Sequence, residues 1–162
     1  YGNEKEELGL PEIAEVAAKM RRIGVVQVSI GGGEPFAVDH VEEASKLFVD
    51  QGINLRLLTN GIGVSRDRID KAIDFGVKNF SISLDSLYPE RFDYICEHEG
   101  SWDDAVSTMS HIGQRLAGTA GSLPTINCVV SNLNLEELPD LVRFARDIGL
   151  DRKSTRLNSS HW

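Results

Sequence analysis

Val25-Val26-Gln27-Val28-Ser29-Ile30 runs without a break into Gly31-Gly32-Gly33-Glu34-Pro35. Six short, mostly β-branched residues bounded by glycine predict a buried strand. The glycines end it and leave the backbone bare, because a residue without Cβ lets another molecule or chain approach closely. Upstream, Leu10 to Ile23 places Ile13, Val16, Ala17, Met20 and Ile23 at helical spacing, with Pro11 in the first turn and Gly24 as the stop. Downstream, Val38 to Asp50 turns Val41, Ala44, Leu47 and Phe48 to one side and closes at Gly52. The central stretch is therefore a strand held between two amphipathic helices.

The same alternation continues along the chain. Residues 53–59, 79–84 and 125–130 predict three further strands, and residues 65–75, 102–116 and 135–148 predict three helices. Residues 85–101 read as a looped segment, and Gly118 to Gly121 as a turn. Short apolar strands separated by helices imply parallel pairing through right-handed crossovers, in a barrel or an open sheet. The expected fold class is α/β. The chain opens and closes on a helix, so a strand is expected before Tyr1 and further chain after the last helix. Residues 1–150 read as one partial domain, cut at both ends. Residues 151–162 break the pattern: Asp151-Arg152-Lys153-Ser154-Thr155-Arg156-Leu157-Asn158-Ser159-Ser160-His161-Trp162 resembles, codon by codon, the translation of a sequencing-library adaptor. They are expected to be a scar rather than native sequence, so His161 and Trp162 carry no functional weight.

Composition narrows the function classes. The 162 residues are 41% hydrophobic and 26% charged, with a formal net charge of −8, as in a globular protein whose surface disfavours non-specific nucleic-acid binding. No apolar run is long enough for a membrane helix. The polar start, Tyr1-Gly2-Asn3-Glu4-Lys5-Glu6-Glu7, has no secretory character; a cytoplasmic location, with no membrane and no nucleic acid as partner, is the expectation. Cys96 and Cys128 stand far apart, without a CxxC or His/Cys cluster, so these residues alone predict neither zinc nor iron–sulfur ligation.

Ligands in parallel α/β folds lie at the C-terminal ends of the strands. Those ends read Gly31-Gly32-Gly33-Glu34-Pro35, then Thr59-Asn60-Gly61, then Ser83-Leu84-Asp85-Ser86, with Asn127 inside the fourth strand. The glycine run is neither GxGxxG nor a phosphate-binding P-loop. Bare backbone beside the anion of Glu34, with Pro35 fixing the turn, suits an ammonium group better than a phosphate.

These strand ends resemble the radical S-adenosylmethionine (SAM) superfamily. Gly32-Gly33-Glu34-Pro35 is similar to its GGEP motif, Thr59-Asn60-Gly61 to its TNG, and Ser81-Ile82-Ser83-Leu84-Asp85 to its strand-four SLD element. Asn127 falls on its fifth-strand polar position. The resemblance covers nearly all of residues 1–150, in matching order. It implies a partial TIM-like (β/α)6 barrel and two cofactors, S-adenosyl-L-methionine and a 4Fe-4S cluster. Gly32, Gly33, Glu34 and Pro35 would hold the methionine amine. Ser83 and Asn127 would orient the sugar, while Thr59, Asn60 and Asp85 would shape the pocket. The implied reaction is reductive cleavage of SAM to a 5'-deoxyadenosyl radical that abstracts hydrogen from a substrate. The family's C-x3-C-x2-C cluster loop is absent here, and the resemblance places it directly before Tyr1. No metal ligand is therefore expected within the chain, and the 162 residues alone are expected to be inactive.

Two branches share features with this sequence. Ser83-Leu84-Asp85-Ser86-Leu87 with Pro89-Glu90-Arg91-Phe92 resembles the molybdenum-cofactor-biosynthesis branch, although Thr125 stands where that branch usually has Lys. Asn132-Leu133-Asn134-Leu135-Glu136-Glu137-Leu138 and the stretch to Gly149 resemble the SPASM-type enzymes that modify peptides, and their haem-modifying relatives. Both leave a small-molecule or peptide substrate as partner, with flavodoxin or ferredoxin as electron donor. The alternatives are a cluster-free TIM-barrel lyase or isomerase, for which the strand ends offer only Glu34 and Asp85, and a non-catalytic SAM-binding barrel. His98 reads as part of a solvated charged loop, His40 and His111 as surface helix residues, and Glu12/Glu15, Asp103/Asp104 and Glu136/Glu137 as first-turn charges favoured by the helix dipole.

Overall fold

A computed structural model describes residues 8–150 and the backbone of residues 156–157. The expected junction at Tyr1 and most of the 151–162 segment lie outside these residues. The first helix, α1 (Leu10–Arg22), carries Pro11 in its first turn, where the Glu12 carboxylate accepts the Gly9 amide at 2.6 Å, and has Lys19, Arg21 and Arg22 in its last. Both ends complement the helix dipole. There follow β1 (Gln27–Ile30), a 3-10 turn Pro35–Ala37, α2 (Val41–Asp50), β2 (Asn54–Thr59) and α3 (Arg66–Asp74). The second half holds β3 (Asn79–Ser83), α4 (Pro89–Cys96), α5 (Ser101–Leu116), β4 (Thr125–Cys128), a 3-10 turn Leu135–Glu137 and α6 (Leu138–Asp147). A two-residue strand, β5 (Arg156–Leu157), is the last element.

All strands pair in parallel, in the order β1-β2-β3-β4-β5. Strands laid down in sequence through right-handed crossovers keep every helix on one side, so the sheet is one wall of a barrel. Register separates its two faces. Partners Ile30, Leu57 and Phe80 lie in one row, and Thr59, Ile82 and Ile126 in another, facing the helices. Leu57, Phe80 and Ile82 are fully buried there against Ile69, Ala72, Met109 and Ile112. Each such side chain contributes about 1.5–3 kcal/mol, which makes this face the main source of stability.

The opposite face is polar. Ser29, Arg56 and Asn79 form one row, and Ser83 and Asn127 another. Asn79 donates to Asn54 at 2.6 Å, and Ser81 bonds Thr125 at 2.9 Å.

Two elements depart from the sequence expectation. Residues 89–96, read as loop, form α4, with Pro89 starting the helix and Phe92 buried beneath it. The sheet has a fifth strand where four were expected. The free edge of β4 offers unpaired amides and carbonyls, and any extended segment can add to such an edge; Asn127 and Cys128 pair with residues 156 and 157.

Candidate functional site

The rim of the sheet is organised by the turn after β1. Gly31, Gly32 and Gly33 are exposed. Gly32 has φ +119°, a conformation that side chains disfavour, and a Cβ built on Gly32 or Gly33 would meet no atom within 4 Å. Packing does not account for these glycines; they leave bare backbone facing open space. Pro35 and Phe36 are buried, which fixes where the turn ends. Arg68 secures the turn from α3, donating to the carbonyls of Phe36 and Val38 while pairing with the fully buried Glu42 at 2.6 Å.

Glu34 reaches from this turn to the end of β2. Its Oε1 accepts the Phe36 amide at 3.1 Å and the Thr59 hydroxyl at 2.8 Å, and its Oε2 accepts the Asn60 amide at 2.8 Å. Thr59 is 3% exposed, and its Oγ1 also accepts the Gly61 amide at 3.0 Å. The hydroxyl is thus spent inside the tie between β1 and β2. Asn60 is exposed, with Oδ1 accepting the Ile62 amide at 2.9 Å. Gly61 has φ +73°, and an added Cβ would press on Ile82 and Thr108 at 3.3 Å. Here glycine is required by both conformation and space.

A second group forms at the ends of β3 and β4. Ser83 and Asn127 stand side by side on the polar face, both half-buried. Asp85 turns toward β4, where its Oδ1 accepts the Val129 amide at 2.6 Å. Burial pushes the Asp85 carboxyl up, and the Val129 bond only partly offsets that. Burial, with help from Asp85 and Glu137, pushes the Cys128 thiol up to about 12. Among the described residues no side-chain hydrogen bond joins this group to that around Glu34. The sequence-predicted residues therefore fall into two clusters on one rim: Gly32, Gly33, Glu34, Pro35, Thr59 and Asn60 in the first, and Ser83, Asp85 and Asn127 in the second.

Two residues that organise the second cluster escaped sequence reasoning. Asn134, 1% exposed, donates to the carbonyls of Asp85 and Val129 at 2.7 and 2.8 Å and accepts the Ser131 amide at 2.8 Å. Glu137 is not a solvated first-turn charge. It is 5% exposed, accepts the Ser86 hydroxyl at 2.9 Å and the Leu87 amide at 2.7 Å, and pairs with Arg91. Its donors lie too far along the chain for any local pattern to show. His111 is likewise not a free surface residue: its side chain is 14% exposed and Nε2 lies 2.8 Å from Asp70.

Comparison with known proteins agrees with this architecture. GTP 3',8-cyclase 1 of Mycobacterium tuberculosis is 30% identical over 167 aligned residues, covering 96% of this chain and 45% of that protein. PqqA peptide cyclase of Rhizobium meliloti is 26% identical, covering 87% of this chain and 36% of that protein. The chain thus spans less than half the length of these curated relatives. Among solved structures, Streptococcus suis SuiB superposes with a TM-score of 0.72 at 17% identity, over 98% of this chain and 38% of that one. SuiB bound to its precursor peptide SuiA gives a TM-score of 0.74, over 92% and 32%. These likenesses establish the fold as part of a TIM-like radical SAM barrel. With the family model for the radical SAM superfamily matching residues 1–145, this chain belongs to that superfamily.

Proposed function

We propose that the rim described above is the SAM-binding half of a radical SAM active site. The family's cofactors are S-adenosyl-L-methionine and a 4Fe-4S cluster, and the described residues fit them unequally. A SAM molecule brings an ammonium, and the backbone at Gly32 and Gly33 is bare, with no atom within 4 Å of where a Cβ would stand. Among the described residues no three His, Cys, Asp or Glu side chains converge as a metal site, and Cys96 and Cys128 sit on different elements. They supply no ligand set for the cluster.

One observation carries the reading. Glu34 is held by three neutral donors and, among the described residues, no cation, so its negative charge stays uncompensated there beside bare backbone. Such a site favours a cationic ligand group. Glu34 would then act mainly as a positioning residue: it locks the ends of β1 and β2 and lends charge, while the glycine carbonyls receive the amine. Ser83 and Asn127, facing the open side, would orient the sugar. Asn60 and Asp85 would border the pocket. Bound SAM and a reduced cluster would supply the radical that removes hydrogen from a substrate. The substrate would be a peptide or a small molecule, the kinds named for the relatives, with a flavodoxin- or ferredoxin-like electron donor.

Gly33→Ala separates ligand approach from folding. Gly33 has no positive φ and open space where Cβ would go. The folding stability obtained from melting is therefore expected to hold within about 0.5 kcal/mol, while SAM affinity by equilibrium dialysis falls about tenfold or more. Unchanged SAM binding in the variant, or none in the parent chain, would sink the proposal.

A further inference from the structure

The polar face of the sheet carries one feature that the rim does not use. In β2, Asn54, Arg56 and Leu58 alternate with Leu55, Leu57 and Thr59, so Arg56 projects onto the face opposite the apolar core. Its row partners, Ser29 and Asn79, are neutral. The Arg56 Nε is buried and has no hydrogen-bond partner among the described residues. The other half-buried arginines differ: Arg68 holds Glu42 and Arg91 holds Glu137. A buried guanidinium nitrogen left unbonded costs free energy that a matching acceptor recovers.

We propose that Arg56 is a specificity-determining residue that receives a carboxylate of the substrate. The proposal rests on the reading of the rim as the SAM site. Arg56 lies three residues before Thr59, roughly 10 Å below the rim at about 3.3 Å per residue, so a substrate could bind it while its far end meets the cofactor. The charge count selects the ligand. Among the described residues, the rows around Arg56 supply hydroxyls and amides, from Ser29, Asn54, Asn79 and Ser81, but no second cation. A carboxylate carries one negative charge, balances one guanidinium, and accepts two parallel N–H bonds from it. A phosphate monoester carries about 1.5 to 2 negative charges near neutral pH and would remain partly uncompensated on this face.

The test uses the full chain labelled with 15N, with acetate as the probe and chloride at matched ionic strength as the control. The Arg56 Nε–Hε resonance, identified by its disappearance in Arg56→Lys, is expected to shift saturably with acetate, while that of Arg68 stays fixed on Glu42. Arg56→Gln should weaken the acetate response, read from neighbouring backbone amides, by about 10- to 100-fold, the worth of a charge-assisted hydrogen bond. A melting midpoint that acetate raises in the parent but not in Arg56→Gln gives the same answer without assignments. Three results would overturn the proposal: no Arg56-specific shift, tighter binding of inorganic phosphate than of acetate, or an equal acetate response in Arg56→Gln. SAM binding measured on the same samples keeps the two readings apart. Its absence defeats the rim assignment, whereas a lost acetate response with SAM binding intact defeats only Arg56.

Discussion

Two glutamates, Glu34 and Glu137, perform the same mechanical task at different places on the rim. Each follows a strand, caps or ends a 3-10 turn, and ties one βα unit to its neighbour. Their partners differ. Glu137 is buried and matched by the Arg91 guanidinium, besides Ser86 and Leu87. Glu34 is half-buried and, among the described residues, meets only a hydroxyl and two amides. A carboxylate that also holds a cation is structurally complete. One that holds only neutral donors keeps its charge for something else. The contrast sets a carboxylate whose charge is matched among the described residues against one whose charge is not.

The largest test of this contrast is Glu137→Ala. The substitution leaves Arg91 without its counter-ion and the fully buried Ser86 hydroxyl without an acceptor. The cost should be about 3 kcal/mol, discounted because the Arg91 side chain is 39% exposed. On a domain of this size that lowers the melting midpoint by roughly 10 °C. A loss no greater than that of Glu34→Gln would erase the distinction.

Glu34→Gln should cost only about 1 kcal/mol, since the amide oxygen can still accept from Thr59 while its NH2 group opposes a backbone amide. SAM affinity, by contrast, should fall more than stability does. Equal losses in both would make Glu34 a purely structural tie.

The smallest effect concerns Asp85. Its carboxyl is raised above the usual value of 3.8 by burial, so the folded state holds the proton more tightly than the unfolded chain. Asp85 therefore favours folding at acid pH, and that contribution is lost as pH rises through its folded pKa. In Asp85→Asn the contribution does not titrate. Melting curves across pH should show the difference between variant and parent drifting in favour of Asn as pH climbs above 3.8. A drift in the other direction would mean that ionised Asp85 gains more from its surroundings than burial removes.

What the sequence revealed follows the range of the forces involved. Strands, crossovers and the Gly31–Pro35 turn are encoded within a few residues, and their expected positions match the structure. Helix α4 was hidden because eight residues, with Phe92 as their one buried anchor, give too short a pattern to separate from a loop. Glu137 looked like a dipole charge because its partners Ser86 and Arg91 lie 51 and 46 residues away. The alternation Asn54-Leu55-Arg56-Leu57 does show two faces, but nothing local tells that the polar one stays without an anion. For Glu34 the motif pointed at the amine, while the geometry puts most of the carboxylate's bonding capacity into holding two strand ends together.

The strand order has a consequence for how the molecule comes into being. Each of β2, β3 and β4 pairs with the strand made immediately before it, across one intervening helical segment. Closing such short loops costs little entropy, and contacts of low sequence separation form fast. A chain emerging from the ribosome can therefore add its wall one βα unit at a time, each new strand docking on an edge already in place. In that sequence the pairing of β1 with β2 also brings Glu34 to Thr59. The tie made by Glu34 is therefore assembled before the tie made by Glu137 exists.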